Sequence, residues 1–298
     1  MILYESCPNC CSKNISLVLS AKDHTVSGEQ FEIWECKNCT QRFTQNIPDK
    51  EDIGKYYQSE NYISHSDTSK GLINNLYHKV RKRTLLQKRK LVETATGKKA
   101  GNILDVGAGT GAFLHAMKVA NWNITGLEPD PGARKKAEEL YDLHLKKTEE
   151  LMHLPAESFD AITMWHVLEH VHELHEYITQ LKKLLKPSGK LFIAVPNYTS
   201  YDAQYYKEFW AAYDVPRHLY HFSPHSVKTL LSSHGMEIEN MKPMWYDSVY
   251  VSMLSEQYKT GRPHPDKALL TGFISNFKTL LDKKKCSSVI YITGITSA

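Results

Sequence analysis

Three glycines at 107, 109 and 111, preceded by Asp105 and followed by Glu128, are the residues of this chain best suited to holding a ligand. They lie in Asn102-Ile-Leu-Asp-Val-Gly-Ala-Gly-Thr-Gly-Ala-Phe113, an apolar strand pattern that runs into a turn and then into a helical pattern. Glycine lets a backbone turn this tightly and leaves room for a ligand against it. Glu128 closes the next short apolar segment, Asn123-Ile-Thr-Gly-Leu-Glu128. An acid about 20 residues beyond such a turn is placed to accept hydrogen bonds from ribose hydroxyls. These residues therefore point to an adenosine-containing ligand at the carboxyl ends of parallel strands. Gly107, Gly109 and Ala112 also fit the Gly-x-Gly-x-x-Gly/Ala pattern of dinucleotide sites, which is weak by itself. Asp105 shifts the balance. A carboxylate two residues before the first glycine repels a pyrophosphate and suits a ligand that carries a positive charge and no phosphate.

Two further groups of side chains have chemistry of their own. Cys7-Pro-Asn-Cys10 and Cys36-Lys-Asn-Cys39 are two Cys-x-x-Cys pairs, and four thiolates in a tetrahedron are what structural zinc prefers. Ile15–Leu19 and Phe31–Trp34, with a turn near Gly28, read as a hairpin joining the pairs. The whole resembles a zinc ribbon, with Cys11 and Thr40 at the places where ribbon knuckles often carry glycine. Unliganded thiols or a redox pair is the alternative, and Cys11 is a competing ligand for Cys10. Among the 15 histidines, His170 follows an apolar strand pattern at 159–166. His218 and His221 lie in Trp210-Ala-Ala-Tyr-Asp-Val-Pro-Arg-His-Leu-Tyr-His-Phe222. Histidine is the commonest general base, so these three are the candidates for accepting a proton.

These residues must be positioned by an alternation of strands and helices. Strand patterns lie near 102–106, 123–128, 159–166 and 190–197, with a weak one near 143–146. Helix patterns lie near 72–95, 111–120, 130–142, 172–186 and 266–282. Ser223 and Pro224 form a good helix start, and Gly235 ends that helix. Strands then fall at Met236–Met241 and Ser288–Thr293. Alternation of this kind gives a parallel sheet covered by helices on both faces. Residues 1–46 read as the ribbon, 47–100 as linker and helical lid, and 101–298 as the ligand-binding domain. Tyr56, Tyr57 and Tyr62 in the linker are candidates to fold over the ligand or simply to anchor the linker.

From Asp105 through Gly111 the chain resembles the class I S-adenosylmethionine-dependent methyltransferases, whose first motif is an acid followed by Gly-x-Gly-x-Gly. The resemblance continues through Ser158–Val171 and Leu185–Val195, which look like the fourth strand and the fifth-strand region of that family. It implies a doubly wound, mostly parallel, seven-stranded α/β sheet of Rossmann-like type, closed by an antiparallel pair at 236–241 and 288–293. It also implies S-adenosylmethionine as cofactor, held by Asp105, Gly107, Ala108, Gly109, Gly111, Glu128 and Pro129. Glu149 (or Glu150) would stand near the adenine amine, with Trp165 and His166 beside the methionine part. The family places its substrate pocket after the fifth strand, which here means Trp210, Arg217 and Tyr220. Arg217 would act there as a bidentate clamp for a carboxylate or phosphate.

Composition narrows the function. A net charge of +4 over 298 residues does not call for nucleic acid, and no apolar run reaches membrane-spanning length. Met1-Ile-Leu-Tyr-Glu-Ser is unlike a signal peptide, so a cytoplasmic protein with reduced thiols is expected, in which ordered cysteines suggest metal before disulfide. The expected activity is methyl transfer to an oxygen or carbon of a small, sugar-derived or quinone-like acceptor. Two alternatives stay open. One is an RNA methyltransferase that uses the ribbon and the basic residues Lys79–Arg83 and Lys88–Lys90. The other is a non-catalytic protein that binds the cofactor and recruits a partner.

Overall fold

In the computed structural model, residues 1–58 and 72–296 are described, with 72–81 described by backbone alone. Tyr62, one of the three lid candidates, lies outside the described residues, as do the side chains of Leu72, Leu76, Lys79 and Val80. The chain divides into two compact units. One comprises Met1–His65, Leu168–Glu176 and Ala194–Tyr291; the other comprises Ser66–Val167, Tyr177–Ile193 and Ile292–Ala298.

In the first unit, β1 (Ile15–Lys22) and β2 (Gln30–Cys36) form the antiparallel hairpin that the sequence suggests. Gly28 lies between them at φ +73°, the left-handed region that favours glycine. β3 (Arg42–Thr44) adds a third strand. The unit also holds α5 (Tyr201–Tyr206), β8 (Tyr220–His221), α6 (Pro224–Ser233), β9 (Met236–Pro243), α7 (Asp247–Thr260) and α8 (Pro265–Leu281). The hairpin sheet runs in the order β1-β2-β3-β8, so its fourth strand comes from far along the chain. Arg42 pairs with His221 and Phe43 with Tyr220. The start of α6 is a capping box: Ser223 accepts from the Ser226 backbone N–H, and the Ser226 side chain accepts from the N–H of Ser223. Two of the N–H groups left open at a helix start are satisfied this way.

The second unit carries α1 (Leu72–Thr96), β4 (Asn102–Val106), α2 (Ala112–Val119), β5 (Asn123–Leu127), α3 (Pro131–Tyr141), β6 (Phe159–Trp165) and α4 (Leu174–Leu184). β7 spans Leu185–Pro196 and β10 spans Ser288–Ile295. β4 pairs in parallel with β5 on one side and β6 on the other. Among the described residues the mostly parallel sheet runs β5-β4-β6-β7-β10-β9, six strands where seven are expected. The weak strand expected near 143–146 is reduced to a parallel bridge between Leu127 and Lys146. Asp142, left-handed at φ 53°, ends α3, and a 3-10 helix begins at Thr148. Ile103, Ala161 and Phe192 from the strands, Phe113, Leu114 and Met117 from α2, and Val92 from α1 share one apolar core. This packing holds the β4 carboxyl end and the glycine turn in place.

Candidate functional site

The turn after β4 is built as the glycines require. Gly107, Gly109 and Gly111 have φ of +72°, +54° and +77°. A Cβ on Gly107 would come within 2.4 Å of Val167 Cγ2, and one on Gly111 would press on Leu143 and Ala137. Beside Gly109 nothing lies within 4 Å of the added atom. The open space a ligand needs is therefore at the middle glycine. The outer two are glycines because of packing and backbone angle. The backbone N–H groups of Gly107 and Ala108 donate to the Leu127 carbonyl. Glu128, the residue after β5, takes the Gly109 N–H on Oε2 at 2.7 Å and the Asp130 N–H on Oε1 at 2.9 Å. Each carboxylate oxygen keeps a second lone-pair site for a ribose hydroxyl. Burial raises the pKa of Glu128.

Asp105 ends up 1% exposed. The Thr163 hydroxyl donates to its Oδ1 at 2.5 Å. Burial pushes its pKa up to about 7, against the opposing pull of the Thr163 bond and of Lys88, and with a further push from the like charge of Glu128. A carboxylate held this high is stabilised by any cation brought beside it. Lys88 shows that the site favours positive charge: besides its pull on Asp105, its ammonium lies 4.2 Å from the centre of the Trp165 ring. The Trp165 ring also packs edge-on against Phe113. His166 follows it in a left-handed conformation, φ 60°. Pro129 and Glu149 are exposed; the Pro129 carbonyl accepts from Arg134, and Glu149 lies in the first turn of the 3-10 helix that begins at Thr148. The donor set of two acids and a glycine turn fits a cationic nucleoside better than a pyrophosphate.

In the first unit, His170 and His218 meet edge-to-face at 4.6 Å. His170 Nδ1 lies 3.0 Å from the Arg217 carbonyl and 3.1 Å from the Tyr57 hydroxyl. His218 Nδ1 lies 2.8 Å from the Ala212 carbonyl. A carbonyl only accepts, so both Nδ1 atoms carry a proton, and in a neutral ring of this tautomer the lone pair is on Nε2. Burial and the neighbouring His218 lower the His170 pKa to about 4, which leaves it neutral at pH 7. Ligand atoms of Glu169, His170 and His218 all fall within 4.8 Å of one another. Tyr57, suggested by the sequence as a cover or as an anchor for the linker, contacts one of the histidines. Asp214, 4.0 Å from His218 Nε2, carries no motif that could have marked it.

The other predicted residues of the segment 210–222 are turned inward. Arg217 has no exposed side-chain surface. Its guanidinium donates to Asp214 through Nε and Nη2, to Asp23 through Nη2, and to the Tyr56 carbonyl through Nη1. Four of its five N–H groups are thus used within the chain, and the fork expected to grip a substrate anion is a strut between elements. The Trp210 indole donates to Asp202 Oδ2 at 2.8 Å within an apolar cluster. The Tyr220 hydroxyl donates to the His172 carbonyl. Both rings are about 2% exposed, so packing replaces the substrate contact expected of them. His221, expected as a base, is buried in β8. The Thr44 hydroxyl donates to the His218 carbonyl, so the hydrogen between Thr44 Oγ1 and His221 Nε2 belongs to the histidine. The remaining lone pair, on His221 Nδ1, is enclosed in protein, and burial lowers the pKa of this ring well below its usual value.

The four cysteines converge. Cys7 and Cys39 have their sulfurs 3.5 Å apart, as do Cys10 and Cys36. With zinc–sulfur bonds near 2.3 Å, a tetrahedral site requires sulfurs about 3.8 Å apart, so the set fits the ion with little adjustment. Cys11 and Thr40 adopt the positive φ of the knuckles, 59° and 57°, without glycine. The Asn9 N–H points at Cys7 Sγ at 3.4 Å. Crowding makes the thiols unequal. The bond from Cys39 lowers Cys7, raising Cys39 in turn, and burial raises Cys10. The four sulfurs are thus placed as a group that could hold a metal ion. Cys11 is exposed and stands apart from the set.

Residues 77–240 match the protein family described as "Methyltransferase domain". The ubiquinone biosynthesis O-methyltransferase of Actinobacillus pleuropneumoniae serotype 7 is 38% identical over 118 residues, which cover 36% of this chain and 50% of that protein. The human mitochondrial ubiquinone biosynthesis O-methyltransferase is 29% identical over 161 residues, 49% of this chain and 44% of that protein. The chain thus spans about half the length of these curated relatives. A crystal structure of the 1,6-didemethyltoxoflavin-N1-methyltransferase of Burkholderia thailandensis superposes with a TM-score of 0.50 at 13% identity. The superposition covers 93% of this chain and 100% of that one, a likeness of fold.

Proposed function

This chain belongs to the methyltransferase-domain family, and from that premise we propose that it transfers the methyl group of S-adenosylmethionine to an oxygen or carbon of a small sugar-derived or quinone-like acceptor. The observation that carries the proposal is the buried Asp105 beside a glycine turn whose open place is at Gly109, with Glu128 aimed at the same turn. When bound, the cofactor supplies an electrophilic methyl carbon on a positively charged sulfur, and transfer is an in-line displacement helped chiefly by alignment. Glu128 holds the ribose hydroxyls. Asp105 offsets the positive charge. Gly107, Ala108 and Gly111 shape the turn, and Pro129, Trp165, His166 and Glu149 flank the ligand.

For an acceptor whose nucleophile carries a proton, His170 and His218 are the bases we assign. Both hold Nδ1 against a carbonyl, which in the neutral ring leaves Nε2 as the base, and general-base help is worth about 10²–10⁴ in rate. The relatives named as ubiquinone biosynthesis O-methyltransferases favour a hydroxyl on a quinone precursor as the first acceptor to try. Cys7, Cys10, Cys36 and Cys39 hold a structural zinc. We assign the protein to the cytoplasm, where such thiols stay reduced. Among the described residues no helix is long and apolar enough to cross a membrane.

The test is calorimetry with S-adenosylmethionine, S-adenosylhomocysteine and NADH, followed by transfer of labelled methyl to catechol, hydroquinone and sugar acceptors. The proposal expects the first two ligands to bind and NADH not to. It expects His170→Asn and His218→Asn to lower kcat at least about tenfold with cofactor affinity unchanged. Binding of NADH alone would overturn it.

A further inference from the structure

The α7–α8 hairpin is packed inside out. The buried residues of α8 are small: Ala268, Thr271, Gly272, Ser275 and Thr279. Those of α7 are Ser248, Ser252, Ser255 and Glu256. Gly272 lets the two helices touch, since a Cβ there would lie 2.9 Å from the Val249 backbone. The Ser248 hydroxyl donates to Asn276 at 2.9 Å, and Ser275 donates to the buried Asp202 at 2.7 Å.

With its small face inward, α8 turns its large apolar side chains outward. Leu270, Phe273, Phe277, Leu280 and Leu281 are all more than 60% exposed, and Leu269 joins them. At 100° per residue they form one stripe about 120° wide along the helix. Tyr246, Tyr250 and Met253, at helical spacing beginning just before α7, are exposed as well, as is Trp245. An apolar face of this kind on a soluble chain marks an interaction site.

The charge around it selects the occupant. From Met244 to Lys285 the sequence has seven Lys and Arg against four Asp and Glu, a net +3 within a chain whose total is +4. All seven cations, Lys259, Arg262, Lys267, Lys278 and Lys283 to Lys285, are exposed, whereas Glu256 is buried. A two-fold contact between copies would press this basic rim against itself. A leucine and phenylalanine stripe edged by tryptophan, tyrosine and lysine is instead the pattern of a helix lying in the plane of a lipid interface, and anionic headgroups attract the lysines. We propose that the outward face of the α7–α8 hairpin is a docking surface for an anionic lipid bilayer, on which the protein rests without spanning it. The surface is independent of the cofactor assignment.

Co-sedimentation of the full chain with vesicles of about three parts phosphatidylcholine to one of phosphatidylglycerol tests this without any methyl donor. Binding is expected, and it should fall at least about tenfold with phosphatidylcholine alone or with Lys283→Gln, Lys284→Gln and Lys285→Gln together. Phe273→Glu with Phe277→Glu should abolish it. These positions are exposed, so the variants should keep the circular dichroism of the parent. No binding to the anionic vesicles, binding indifferent to the two glutamates, or a lipid-free dimer that the glutamates split into monomers would each overturn the proposal.

Discussion

Protonation of Asp105 should control cofactor affinity. With the free carboxyl titrating at about 7 and only its ionised form able to receive a cation, binding forces off whatever proton is present. If the bound carboxyl is ionised throughout, affinity for S-adenosylmethionine at pH 6 is about tenfold weaker than at pH 8. About 0.9 proton is released on binding at pH 6 and about 0.1 at pH 8. Calorimetry in buffers of different ionisation enthalpy counts these protons directly. Asp105→Asn keeps an acceptor for the Thr163 hydroxyl and has no proton to lose, so it should bind weakly and with little pH dependence. The sign for stability is opposite. A carboxyl whose folded pKa lies above its unfolded value makes folding take up a proton, so the ligand-free protein should lose stability as pH rises from about 4 to 7. Thr163, Lys88 and Glu128 are the neighbours that tune this titration, and burial outweighs them. Wild-type affinity that is flat between pH 6 and 8, with no proton released at pH 6, would refute the reasoning.

Other substitutions separate binding roles from structural ones. Glu128→Gln leaves one of two backbone N–H groups facing an amide NH₂. It should cost about 1–3 kcal/mol and weaken cofactor binding about 5- to 150-fold in calorimetry. Arg217→Met strands the buried Asp23 and leaves the partly exposed Asp214 without its partner. A loss of about 3–5 kcal/mol is expected in denaturant titration, without the selective rise in KM that loss of a substrate clamp would produce. Burial would raise Asp23, yet bonds from Arg217 and nearby backbone N–H groups hold it at about 2. Its stabilising contribution is therefore present above about pH 4 and lost as pH falls toward 2. Replacing Cys36 and Cys39 by Ser should remove one equivalent of zinc, read by elemental analysis; unchanged metal content would contradict the four-cysteine site.

Much of the fold was legible because it depends on near neighbours. The glycine turn, the Ser223-Pro224 helix start and the paired cysteines each encode a local backbone geometry, and strand–helix alternation restricts the rest to a parallel sheet. Asp105 and Glu128 could be placed from their offsets to the glycines, because a strand and its following turn have little freedom. The same logic fails where a residue's role depends on what lies opposite. Arg217, Trp210 and Tyr220 have the composition of a pocket, and nothing in their spacing reveals Asp23, Asp202 or His172 waiting for them. His221 looks like His218 on the page. Only the pairing of β8 with the ribbon, which brings Gln41 to a carbonyl 180 residues away, encloses the Nδ1 of His221, whereas His218 lies beside His170.

The sequence by itself determined the glycine turn, the two acids beside it, the cysteine set and the order of elements, all consequences of short-range sterics and hydrogen bonding. Tertiary structure alone decided which histidines keep an available lone pair and which arginine became a strut. It also decided which face of α8 points outward. A helical period shows that two faces differ; which one is buried depends on the partner, and here Gly272, Ser275 and Thr279 meet a neighbour close enough to exclude larger side chains.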